Sequence, residues 1–157
     1  MNPGTRTPAT LLVIVLTAGC LSQEAMADDP KCKKANGDLS VVSNGNGTTS
    51  GTIRHGGNLN GTTRAVFTSA LTSTPNPNAF SYTDQFSITT DRGVLRASNV
   101  GLFVVGGGLF SEIAIIDPGA STGSFAAATG VLYINGKTSD GGATFTAEIT
   151  GEFCVAD

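Results

Sequence analysis

The chain has 157 residues, one domain's worth of protein, and only 13% of them are charged, about half the usual share. Its formal net charge of −3 excludes a basic nucleic-acid binder, because nothing here would neutralise a phosphate backbone. A mean hydropathy of +0.11 with so few charges also excludes a disordered polyelectrolyte.

Residues 1–27 read as a secretory signal peptide. Arg6 precedes the apolar run Ala9–Gly19, the chain then turns polar, and Ala25-Met26-Ala27 supplies the small residues of a cleavage site ahead of Asp28. The apolar run is too short for a membrane span. Leu16-Thr17-Ala18-Gly19-Cys20 offers an alternative, since it resembles a bacterial lipobox. The first reading predicts a secreted or periplasmic protein, the second a lipoprotein anchored at Cys20. Both remove Cys20 from the thiol count and leave Cys32 and Cys154. In an oxidising compartment these two are expected to pair, closing a loop around almost the whole domain.

Residues 28–37, with Lys31, Lys33 and Lys34 around Cys32, read as a polar leader, and 38–157 as the folded domain. From there on the pattern is β, with Gly, Asn, Asp, Ser and Pro as punctuation. Thr62–Thr74 alternates. Phe80, Tyr82, Asp84, Phe86 and Ile88 share one face, and Ser81, Thr83, Gln85, Ser87 and Thr89 the other. Asp91-Arg92-Gly93 is a turn before a strand over Val94–Val105. Gly106–Gly108 leads into Leu109–Ile116, and Asp117-Pro118-Gly119 ends it. Ser124–Ile134 follows. The last strand alternates most clearly, with Ala143, Phe145, Ala147, Ile149, Gly151 and Phe153 on its core face.

Seven or eight strands on short hairpins make a meander that must close or pack on itself to hide its edges. Ala126, Ala128, Gly130, Ala147 and Gly151 are small enough for a narrow interior. The expected fold is all-β, a closed antiparallel up-and-down barrel of about eight strands, with a β-sandwich as the alternative.

Four stretches carry a family resemblance. Thr122–Leu132 (TGSFAAATGVL) resembles the GTGxFxGATGxL segment of the allene oxide cyclase and dirigent barrel superfamily. Leu59-Asn60-Gly61-Thr62 is similar to its early L-x-G-T, Phe86–Leu95 to its I-T-T-x-x-G-x-L hairpin, and Ile149–Cys154 to the closing I-x-G-x-x-C of bacterial exported members. The pieces span residues 38–154 in order. The resemblance implies an eight-stranded barrel, often with an apolar cavity, that handles small hydrophobic molecules and self-associates. It carries no catalytic residues over. The acidic and Asn-rich segment of the plant cyclases and the Asp and Arg pocket motifs of the dirigent proteins have no counterpart here, and Ala127 stands where glycine is common.

The residues themselves offer few chemical groups. His55, the single histidine, reads as an exposed turn residue with no catalytic partner. No carboxylates cluster at ligand spacing, so neither a metal nor a cofactor is expected. Asn46 and Asn60 open Asn-Gly-Thr sequons, glycan sites in a eukaryotic secretory pathway and turn residues in a bacterium. Asp84 is the candidate acid or base. If its face lines the lumen, a carboxyl sits among Tyr82 and Phe86, and burial raises its pKa. Arg64 and Arg96 could reach the same lumen and orient a ligand. One register slip reverses every such assignment, so a surface place for Asp84 is the expectation and the lumen the alternative, and Glu112 falls under the same rule. Together these readings favour a non-catalytic binder of a small hydrophobic molecule or an assembly module. The alternative is a cofactor-free cyclase or isomerase.

Overall fold

The computed structural model describes residues 30–155. The segment expected to be a signal peptide, its expected cleavage site and Cys20 lie outside them. Nine strands follow in order: β1 (Lys31–Ser43), β2 (Thr48–Arg54), β3 (Gly61–Phe67), β4 (Thr72–Ser73), β5 (Ala79–Thr90), β6 (Gly93–Val104), β7 (Leu109–Ile116), β8 (Thr129–Lys137) and β9 (Thr144–Val155). Hydrogen-bonded neighbours run β3-β2-β1-β9-β8-β7-β6-β5, all antiparallel, and β3 pairs with β5 to shut the ring. The fold is therefore a closed eight-stranded antiparallel barrel. The two-residue β4 lies outside this ring and continues the line of β3 along the edge of β5.

Two expected boundaries change. Lys31–Gly37, read as a polar leader, is the first half of β1 and pairs residue by residue with β9. Its lysines hid the alternation, for Ala35, Gly37 and Leu39 all face inward and are buried. The strand expected from Ser124 starts instead at Thr129, because Gly123–Phe125 forms a 3-10 turn. Ala126 is exposed there rather than in the lumen. Among the described residues no helix is long and apolar enough to cross a membrane.

The interior is layered. At one end Leu59 and Phe125, each carried by a 3-10 turn, plug the barrel over Ile53, Ile88, Leu95, Ile116 and Phe153. Phe125 and Phe153 pack ring to ring at 6.0 Å. The middle of the barrel holds polar groups, and the far end is ringed by phenylalanines. The outer surface carries large apolar side chains as well as polar ones. Val100, Leu102 and Val104 of β6, Leu109, Ile113 and Ile115 of β7 and Tyr133 of β8 are all exposed. Register sets Val100, Ile113 and Tyr133 side by side, so these residues form one apolar face.

Cys32 and Cys154 are directly opposite in the β1–β9 pair and are disulfide-bonded across a separation of 122 residues. A loop that long is worth about 4–5 kcal/mol in the chain-entropy model. Replacing both cysteines with serine should lower stability by about 2–5 kcal/mol. Urea unfolding of the oxidised protein and the double variant measures it, and equal midpoints would sink the assignment.

Candidate functional site

Strand parity builds the site. On β5, Tyr82, Asp84, Phe86 and Ile88 are all buried on the inner face. Asp84 is thus in the lumen, only 2% exposed, and the surface placement expected for it is overturned. The β5–β6 register has no slip between Ala79 and Thr90, so the period-two pattern of the sequence holds throughout. The β6–β7 register places Glu112 in the row of Tyr82 and Gly101, while Asn99 pairs with Asp84 in the row below.

Gly101 makes the row possible. It lies between Tyr82 and Glu112 across three strands, and a Cβ there would run into the Tyr82 ring. Without one, the ring lies across β6 and its hydroxyl donates to Glu112 Oε1 at 2.6 Å. Asn99 Nδ2 donates to Glu112 Oε2 at 2.9 Å, reaching diagonally from the neighbouring row. Both Glu112 oxygens are thereby engaged. That bond fixes the Asn99 amide, so its carbonyl oxygen faces elsewhere. Among the described residues two buried side-chain oxygens have no partner, Asp84 Oδ1 and Asn99 Oδ1. They belong to residues directly opposite each other.

Burial sets the electrostatics. Asp84 is raised from an ordinary carboxyl value to about 7, first by desolvation and then by the charge of Glu112. Desolvation also pushes Glu112 up, while the hydrogen bonds from Tyr82 and Asn99 pull it down. Tyr82 is driven well above its usual range by burial and by the Glu112 carboxylate it binds. Glu112 accepts two donors and Asp84 Oδ1 none, so the ionised member is Glu112 and Asp84 keeps a proton near neutrality. A proton on Asp84 also turns one of two facing acceptors into a donor, which removes the mismatch with Asn99.

Above this layer is a cavity of about 230 Å³. Asp84, Tyr82 and Glu112 lie in its wall, with Phe86, Phe103, Phe110 and Phe145. Phe110 meets Phe145 edge to face at 5.6 Å. Phe67, Leu71 and Gly141 are exposed at its rim. The β8–β9 turn that supplies Gly141 and Gly142 is knotted by Asp140, whose carboxylate accepts from Thr138 Oγ1, from the backbone of Ala143 and from both the hydroxyl and the amide of Thr144. Those bonds, led by the Thr144 hydroxyl, hold Asp140 well below the usual carboxylate range.

Other expected residues fall elsewhere. Arg64 and Arg96 are exposed, so the lumen placement expected for them is corrected. Each has inward neighbours on both sides, Thr63 and Ala65 for the first, Leu95 and Ala97 for the second. Parity then turns both arginines outward. Tyr82 and Phe86 do line the cavity. His55 is exposed with φ 56°, its Nδ1 2.8 Å from Asp38 Oδ2, on the surface outside the cavity wall. Among the described residues the one His/Cys/Asp/Glu group at metal-ligand spacing is Cys32, Glu152 and Cys154, and its sulfurs are already bonded to each other. Asn99 escaped the sequence reading, although its inward parity with Ala97 and Gly101 was there to find. No family model matches the sequence, and no curated protein matches it.

The Asp84 shift has a stability consequence. The folded state keeps its proton up to about pH 7, whereas an unfolded Asp releases it near pH 4. Between those values the folded protein binds more protons than the unfolded one, so stability falls as pH rises through this window. The loss is on the order of 2–4 kcal/mol and is complete above about pH 7. Asp84→Asn should flatten that slope and be the more stable protein at pH 8. Denaturation from pH 4 to pH 8 tests it, and an unchanged slope in the variant would refute the assignment.

Proposed function

We propose that the protein binds a small, mainly apolar molecule inside the open end of its barrel. One observation carries this reading: a ring-lined void over a layer of polar groups whose hydrogen-bonding capacity is not used up. Interiors are normally packed to crystal density, and an eight-stranded barrel of this size can fill itself with side chains. The cavity exceeds the roughly 150 Å³ that suffices for benzene. A closed barrel is also what the allene oxide cyclase and dirigent resemblance requires, though a fold by itself does not assign a function. The disulfide supports export to an oxidising compartment, secreted or periplasmic.

A second reading has its own observation. A carboxyl that holds its proton near neutral pH, in an apolar cavity, can act as a general acid, and a cofactor-free cyclase or isomerase needs little more than shape and one such group. Asp84 would then donate a proton to a ligand oxygen and recover it after ring closure or double-bond migration.

Calorimetry against a panel of small apolar molecules tests the first reading. Binding is expected, and Ala65→Phe, which fills the cavity from β3, should weaken it at least tenfold. Binding that Ala65→Phe leaves intact would place the ligand elsewhere. The same incubations, read for products of unchanged mass and altered retention, test the second reading. It requires turnover that Asp84→Asn abolishes while binding persists.

Self-association, which the resemblance implies, has a surface to use. The apolar face of β6, β7 and β8 carries seven exposed large side chains, with Lys137 beside Leu109 at one end. The largest patch on a typical monomer is about 300–600 Å². Two copies meeting there would cover Ile113 at its centre, so Ile113→Lys should shift an oligomer to monomer by light scattering. A wild type that is monomeric at tens of micromolar would end this proposal.

A further inference from the structure

The polar floor of the cavity offers oxygens and no cation. Among the described residues, Asp84, Glu112 and Tyr82 are its only titratable groups, and neither Lys, Arg nor His contributes to the wall. Asp84 faces Asn99 on β6 and pairs with Phe67 on β3, so Glu112 from β7 and Tyr82 from its own strand are the ionisable groups around it. Each Glu112 oxygen already accepts one donor. Asp84 is therefore the carboxyl of the cavity wall that no side-chain donor holds, and it is 98% buried.

We infer that the ligand is an apolar amine bound as its ammonium ion, with the headgroup on Asp84 and the body among the phenylalanines. This inference rests on the binding reading above. A carboxylate ligand would meet two carboxyl groups and no counter-ion. An alcohol brings no charge to set against the Asp84 carboxylate. An ammonium brings up to three donors and a charge, and the faces of Tyr82, Phe86, Phe103 and Phe110 attract a cation. A cavity of about 230 Å³ takes a body near the size of phenethylamine. Binding exchanges one charge for another. The ammonium arrives, the Asp84 carboxyl gives its proton to solvent, and the net charge of the site is unchanged.

Four isosteres test this on the full chain: phenethylamine, 2-phenylethanol, phenylacetate and ethylbenzene. At pH 8 the amine should bind at least tenfold tighter than the alcohol, and phenylacetate at least tenfold weaker than the alcohol. Asp84→Asn should shrink the amine preference to less than threefold while ethylbenzene still binds. In the unmodified protein at pH 6, calorimetry in buffers of different ionisation enthalpy should report about one proton released with the amine and none with the alcohol. This readout does not depend on the variant folding. Amine affinity should fall about tenfold for each pH unit below about 7. If ethylbenzene and the alcohol bind and the amine gains nothing, the amine inference fails and the binding reading stands. If none of the four binds, both fail.

Discussion

Eight strands closed into a ring enclose an interior that side chains can just fill, and each strand contributes only every second residue to it. This chain meets the constraint unevenly. At one end the inward positions are Ile, Leu and Phe, and two 3-10 turns fold Leu59 and Phe125 over the opening. At the other end Val41, Ala65 and Gly142 stand where larger residues would fill the space, and the phenylalanines line it without filling it. The chain has no tryptophan to close the gap. The cavity follows from that distribution of side-chain volume and needs no special element of structure.

The polar layer between plug and cavity is the costly part of the fold. Two carboxyl groups share a low-dielectric interior, where an unpaired polar atom costs more than in water. The arrangement limits that cost by division of roles. Glu112 takes both donors and carries the charge, and Asp84 carries the proton. Gly101 is the residue on which the division depends, because the Tyr82 hydroxyl reaches Glu112 only across a strand position with no side chain. In a strand, glycine weakens pairing and packing. Its place here is explained by the ring that crosses it.

Much of this was legible in the sequence, and the rest failed for identifiable reasons. Alternation over Phe80–Ile88 and Phe145–Phe153 carried the inner faces correctly, because neither strand contains a bulge that would shift parity, whereas Ala143 lies before β9 and is exposed. The same alternation turns Arg64 and Arg96 outward, yet their charge drew attention to the lumen. The first half of β1 was hidden by lysines whose strand partners lie more than a hundred residues away in β9. The apolar outer face was invisible for another reason. In Val94–Val105 and Leu109–Ile116 both parities are largely apolar, so the sequence alone does not distinguish the core face from an exposed one. The pairing of Asp84 with Asn99, and of Tyr82 with Glu112 through Gly101, needs register, and register is a property of the assembled barrel.

The two ends of the barrel differ in what holds them. The disulfide joins β1 and β9 near the plugged end, where Cys154 also pairs with Thr129 beside the Phe125–Phe153 contact. No covalent tie reaches the open end among the described residues, whose order rests on the Phe67–Tyr82 and Phe110–Phe145 contacts and on the Asp140 turn. Stability in a folded protein is not uniform, and binding elements come from its less stable parts. A tethered, apolar plug lets the opposite end carry buried acids, unpaired oxygens and empty volume without losing the ring. The groups that destabilise this barrel are then the groups that give it something to bind with, and their separation from the disulfide end is what makes the two compatible.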